Sequence, residues 1–209
     1  DYVGLKTFIK RRNIMDFNLL FNVFPKKIYP FDYQTYFNSP ERFIMVTSNC
    51  LTGEAVYLEE KQDEKRVLDI CVATCSLPLL CPIAYVDGIP MVDGGVCDAL
   101  PIRKSEADGN SRNVIVLTRN KGYRKPVKQQ KLPGFVFRKY PELRRELMLR
   151  YQRYNETIEY IEQLEADGKA LVIRPIRDVV VDRIERDVDK LTSFYEEGYA
   201  CAKAVFEKK

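Results

Sequence analysis

The chain has 209 residues, with 45% hydrophobic and 31% charged residues, the balance of a globular protein with room for one domain and a real core. Its 34 basic residues against 30 acidic ones leave a formal charge of only +4, too mild a surplus to point to nucleic acid as a partner. It contains no histidine, which excludes a Ser-His-Asp triad, a Cys-His pair and a His-ligated metal within these residues. Acid-base chemistry must then come from Asp, Glu, Lys, Tyr or Cys.

No run of about 18 apolar residues is present, so a transmembrane helix is not expected. The opening Asp1-Tyr2-Val3-Gly4 has neither an initiator Met nor a signal-peptide pattern and reads as the middle of a longer protein. Six cysteines (Cys50, Cys71, Cys75, Cys81, Cys97, Cys201) form no Cys-x-x-Cys pair. Four lie in apolar stretches, which favours reduced, packed thiols and a cytoplasmic protein over disulfides or a metal centre.

Along the chain, Lys10-Arg11-Arg12 is followed by an aromatic stretch (Phe17, Phe21, Phe24, Tyr29, Phe31, Tyr33, Tyr36, Phe37) cut by Pro25, Pro30 and Pro40. It reads as a packed, irregular connection rather than a binding surface. Arg42 to Thr47 and Ala55 to Leu58 have strand character around a turn at Thr52-Gly53. Lys65 to Ser76 carries Val67, Ile70, Cys71 and Thr74 at helical spacing and stops before Pro78, a short buried helix. Residues 83–86 and 89–92 flank Asp87-Gly88, a strong hairpin signal; Pro90 places the second arm at an edge.

Pro101 to Ala107 reads as a Pro-led helix, and Asn113 to Thr118 as an apolar strand of the kind buried on both faces of a parallel sheet. Lys139 to Ala166 is helical with a break near Pro141, Ala170 to Arg174 is a strand, and Asp187 to Phe206 closes the chain as an amphipathic helix. Strand-helix alternation argues for an α/β fold with a mainly parallel sheet, and for one continuous domain rather than two.

Chemistry concentrates in Cys75 to Ile102, which holds two Asp-Gly pairs. The hairpin fully explains Asp87-Gly88. Asp93-Gly94-Gly95 instead ends a strand, where two glycines permit positive φ and close backbone approach, and where sites in open α/β folds gather. A turn-forming or capping aspartate is the alternative reading. Ser76 reads as a cap or packing residue, and Ser111 as a loop serine without a preceding strand or a second glycine.

The ordered set Ser76-Leu77-Pro78, hairpin, Asp93-Gly94-Gly95, Pro101-led helix and apolar strand resembles the second catalytic block of patatin-like phospholipases. Val116-Leu117-Thr118-Arg119 with Gly122-Tyr123, Arg153 to Thr157, and Leu171 to Pro175 are similar to a bacterial branch of that family. The resemblance implies a three-layer α/β core incomplete at its N-terminus, with residues 1–118 in the catalytic part and 119–209 a helical extension containing a strand near 170–174, all in one domain. It implies a serine acyl hydrolase with a Ser-Asp dyad, Asp93 as base and Gly94 and Gly95 supporting it.

The family's glycine-rich oxyanion loop and Gly-x-Ser-x-Gly elbow do not occur in the sequence, so the nucleophile is expected upstream of Asp1, and the fragment alone is expected to be inactive. Apolar Val92, Val96, Leu79 and Leu80 are expected to desolvate the base. The substrate is then a lipid or other ester, with no cofactor. The alternative is a non-catalytic lipid- or protein-binding pseudo-enzyme of the same fold. A nucleotide-binding α/β domain ranks last, because no phosphate-cradling glycine loop follows a strand. Arg119 to Lys131, with six basic residues and no acidic one, offers peripheral contact with an anionic membrane surface, against a solvated loop as the plainer reading. Arg144, Arg145, Arg150 and Arg153 extend that basic character, offset in part by Glu142, Glu146 and Glu156. Oligomeric state has no signal in the sequence.

Overall fold

A computed structural model describes residues 15–127, 132–178, 181–182 and 185–207. Lys10-Arg11-Arg12 and the end of the basic stretch, from 128 to 131, lie outside the described residues. The fold is mixed α/β, and the described residues form two compact units. One comprises the residues up to Ala99 together with those from 132 to Arg153; the other comprises Leu100–Val127 and those from Tyr154 onward.

The first unit opens with helix α1 (Leu19–Ile28), which has π-type winding, and α2 (Tyr33–Asn38). The aromatic stretch is thus helical rather than irregular. Pro25 within α1 lacks the amide that a regular ladder needs, and the wider winding answers it: Tyr29 N–H reaches Phe24 C=O, five residues back, at 2.9 Å. The Asp32 carboxylate caps α2 through Thr35 N–H at 2.9 Å.

A four-stranded sheet follows, built from β1 (Met45–Asn49), β2 (Ala55–Leu58), β3 (Ala84–Val86) and β4 (Ile89–Asp93) in the order β2-β1-β4-β3. All three pairings are antiparallel. β4 is therefore central, not the edge that Pro90 suggested. The reason lies in the register: the β1–β4 ladder ends at Asn49↔Met91, so the missing amide falls just past its last pair, while Pro90 C=O still accepts Cys50 N–H at 2.9 Å. The hairpin turn has φ of 52° at Asp87 and 77° at Gly88, the left-handed pair that a tight two-residue turn needs.

Helix α3 (Glu64–Thr74) is capped by Asp63, whose carboxylate accepts Lys65 and Arg66 N–H. Its Ile70 and Ala73 pack with Met45, Ala84, Val86 and Met91. Val92 joins a second cluster with Cys50, Val96, Leu143 and Leu147, the last two from the start of α5 (Pro141–Ala166). Adjacent Met91 and Val92 point to opposite faces of the sheet, so β4 is apolar without alternation because both faces are covered. Pro141 opens α5 instead of breaking it, a position where its missing amide costs nothing.

In the second unit, α4 (Ile102–Ala107) follows Pro101, and β5 (Asn113–Val116) pairs in parallel with β6 (Ala170–Ile173). Parallel pairing is confined to these two strands among the described residues; the mainly parallel sheet expected from strand-helix alternation gives way to antiparallel pairing in the first unit. β5 is not buried on both faces either: Val114 and Val116 are 57% and 66% exposed. The end of α5 turns back at Gly168, with φ 69°, where Lys169 N–H bonds Leu164 C=O at 2.8 Å and Gly168 N–H bonds Glu165 C=O at 3.1 Å. Helix α6 (Val188–Glu207) closes the chain.

Candidate active site

β4 delivers Asp93 to the end of the four-stranded sheet, where the chain turns into a short 3-10 segment, Gly94–Val96. The Asp93 backbone is held from both sides. Its N–H donates to Ser76 C=O at 3.0 Å, and its C=O accepts the Ser48 hydroxyl at 2.9 Å. The carboxylate of Asp93, partly exposed, accepts the Gly95 N–H at 2.6 Å. The sequence motif thus forms its own cap, and this fixes the orientation of the carboxylate.

The glycines act by space rather than by handedness. Neither Gly94 nor Gly95 has positive φ, contrary to the expectation. Gly94 instead lies so close to β1 that a Cβ there would sit 2.3 Å from the Val46 carbonyl oxygen. That oxygen also accepts the Thr74 hydroxyl at 2.7 Å, which ties the end of α3 to the same spot. A Cβ on Gly95 would meet Asp93 Oδ1 at 2.9 Å.

Ser48 is the residue that sequence reasoning missed. It is fully buried on β1, donates to Asp93 C=O, and accepts Cys97 N–H at 3.3 Å, so one hydroxyl spans the turn. The only available signal was the polar run Thr47-Ser48-Asn49 ending an otherwise apolar strand. Ser76 is fully buried, and its hydroxyl donates to Val72 C=O at 2.7 Å, which makes it a packing residue beside Asp93. Burial pushes the nearby Cys75 thiol up, with the negative charge of Asp93 adding to it.

Of the apolar residues expected to shield the carboxylate, Val92 and Val96 are buried, whereas Leu79 is 58% exposed on left-handed backbone (φ 72°). Asp87 sits elsewhere in the unit and is occupied: Arg66 grips it through Nη2 at 2.8 Å and holds its carboxyl below the usual range. Ser111 is an exposed loop residue of the second unit. All six cysteines are free.

The basic stretch is largely engaged where it is described. Arg119 stacks over Tyr123, Arg124 pairs with Glu162 at 2.6 Å, and Lys125 lies over the Tyr154 ring at 3.8 Å. On α5, Arg145 bonds Glu142, and both Arg145 and Arg153 reach the buried Glu146. No group of metal-ligating side chains occurs among the described residues, and no helix among them is long and apolar enough to cross a membrane.

In comparison with known families, residues 3–104 match the patatin-like phospholipase model, and residues 140–208 match a domain of unknown function (DUF6363). No curated protein matches the chain. Residues 3–104 are thus similar to patatin-like phospholipases, a family of lipid hydrolases.

Proposed function

We propose that this chain supplies the base half of a Ser-Asp dyad in a patatin-type lipid acyl hydrolase, with Asp93 as the base. The observation that supports the reading best is the fixed seat of Asp93: backbone held by Ser76 and Ser48, carboxylate held by Gly95 N–H, Gly94 pressed against β1. A carboxylate so placed needs no reorganisation at the moment of proton transfer, the property that general-base catalysis rewards.

In this reading a serine outside the 209 residues, on a strand-to-helix elbow, attacks the ester carbonyl. Asp93 takes the hydroxyl proton directly, with no imidazole between them, in keeping with a chain without histidine. Backbone amides of a glycine-rich loop stabilise the oxyanion, each worth about 3 kcal/mol. The protonated Asp93 returns the proton to the leaving alkoxide, and water, deprotonated by Asp93, then releases the acyl group and regenerates the serine. Residues 1–118 belong to the catalytic part of a three-layer core and 119–209 to its helical extension, and the fragment alone has no hydrolase activity.

Fluorophosphonate labelling of the full-length parent, with the modified residue located by mass spectrometry, tests this. One labelled serine is expected, with labelling strongly reduced by Asp93→Asn and unchanged by Asp87→Asn, since Asp87 serves a turn and an ion pair with Arg66. A folded parent with no labelled serine would leave a non-catalytic binding protein of the same fold.

A further inference from the structure

Helix α5 buries a charge. Glu146 is 1% exposed, the one charged side chain in the core of the described residues, and it sits among the buried Leu143 and Leu147. Two guanidinium groups reach in to it from the surface. Arg153 Nη1 meets Oε2 and Arg145 Nε meets Oε1 at 3.4 Å, while the two arginine side chains remain 42% and 59% exposed. A carboxylate stripped of water costs more to bury than an apolar side chain of its size, and a buried ion pair adds little net stability. What such a pair does add is geometry. The charge is satisfied only with α5 turned so that both arginines can reach it, whereas an apolar side chain would accept several rotations of the helix.

The rotation of α5 bears on the candidate site because the same face of the helix backs the Asp93 turn. Leu143 and Leu147 share a cluster with Val92 and Val96, the residues on either side of Asp93-Gly94-Gly95. Gly53, in the turn between β1 and β2, lies against the helix: a Cβ there would sit 3.1 Å from Glu146 Cγ and 3.1 Å from Glu142 Cβ. From Gly53 a chain of hydrogen bonds leads to the aspartate. Gly53 C=O accepts the Cys97 thiol at 3.2 Å, Cys97 N–H donates to the Ser48 hydroxyl at 3.3 Å, and that hydroxyl donates to Asp93 C=O at 2.9 Å. Burial pushes the Cys97 thiol up, and the charges of Glu146 and Arg153 act on it in opposite directions, so the ion pair and the turn are neighbours.

We propose that Glu146, locked by Arg153, is a positioning residue for Asp93. It sets how α5 seats against residues 93–97, and through that seat the aim of the Asp93 carboxylate. The inference rests on Asp93 as the base. It also gives the first turns of the region that matches a domain of unknown function a part in the hydrolase site.

The test uses the full-length parent and two readouts, the rate constant of fluorophosphonate labelling and urea unfolding followed by circular dichroism. Glu146→Met keeps the bulk and frees both arginines to turn to solvent, so the urea midpoint should stay close to the parent's while labelling slows about tenfold. Glu146→Gln keeps an acceptor oxygen and the shape, decides the matter should the Met variant not fold, and should slow labelling by a smaller factor. Arg153→Gln alone and combined with Glu146→Gln should reach the same reduced rate, since both act through one contact. With a p-nitrophenyl acyl ester the loss should fall on kcat and leave KM unchanged. Ile161→Val, a core change in the other unit, should lower the midpoint without slowing labelling. Labelling of both Glu146 variants at the parent's rate, a loss that only tracks the urea midpoint, a loss confined to KM, or losses at Glu146 and Arg153 that add in full would each overturn the assignment. Asp93→Asn tells the two readings apart. Labelling that falls with Asp93→Asn but ignores Glu146 removes only the positioning role, whereas labelling indifferent to Asp93→Asn removes the base and the positioning role with it.

Discussion

Alanine at Gly94 tests the claim that the Asp-Gly-Gly turn is built by close approach. The added Cβ would lie 2.3 Å from the Val46 carbonyl oxygen, 2.6 Å from its carbon and 2.9 Å from the Val46 Cβ. Two of these atoms are backbone of the central strand β1, so no rotamer relieves the contact. The gap must open by about 1 Å, and overpacking of this kind in a filled interior costs about 3 kcal/mol. For a chain of this size that lowers the thermal midpoint by about 6–12 °C. Gly95 provides the contrast. Its Cβ would meet only the Asp93 carboxylate oxygen, at 2.9 Å, the far end of a side chain that can move. Gly95→Ala should cost about 1 kcal/mol or less. Urea unfolding followed by circular dichroism separates the two. A Gly94→Ala variant within about 0.5 kcal/mol of the parent, or two variants equally destabilised, would refute the packing argument.

Ser48→Ala removes the hydroxyl shared by Asp93 C=O and Cys97 N–H, and should destabilise the fold by about 1–3 kcal/mol in the same urea assay; an unchanged midpoint would show that the turn holds without it. Glu60 is held down to about 2, first by Arg66 and then by the Asp63, Gln62 and Lys61 amides, against an ordinary value of 4.5. Its folded value is depressed, so its contribution is complete above about 4.5 and is lost as pH falls toward 2; thermal unfolding of Glu60→Gln should show a smaller loss over that window than the parent, and parallel profiles would contradict the assignment. Burial pushes the Cys50 thiol up to about 12, so iodoacetamide at neutral pH should leave Cys50 unmodified in the native chain and alkylate it in urea, as read by mass spectrometry; equal rates in both would contradict its burial.

What the sequence disclosed and what it hid divide along the range of the interactions involved. Asp87-Gly88 was legible because a two-residue turn is set by its own φ angles. The helices at 64–74 and 188–207 were legible because an apolar stripe and a cap lie within a few residues of each other. Strand order was not. Whether β4 pairs with one neighbour or two depends on β1, more than forty residues earlier, and Pro90 misled because only that register shows its missing amide falling past the ladder's end. β5 misled for the matching reason: four apolar-rich residues fit a strand buried on both faces, but Val114 and Val116 find no cover.

The candidate site shows the same division within three residues. Asp93-Gly94-Gly95 could be singled out by motif, and of the two roles it suggested for its glycines the structure shows close backbone approach, at Gly94, and not positive φ. Positive φ is a local property and the natural first guess, whereas the real constraint is a carbonyl oxygen on another strand. Ser48 was invisible for that reason too, because nothing within β1 says that its hydroxyl will bridge a turn formed at residues 93–97. A carboxylate whose backbone carbonyl and glycine spacing depend on β1 is fixed by more than its own motif. It follows that substitutions at Val46 or Ser48, which never meet substrate in this reading, should disturb Asp93 more than changes at the exposed Leu79, which is far nearer to the motif's Ser-Leu-Pro segment.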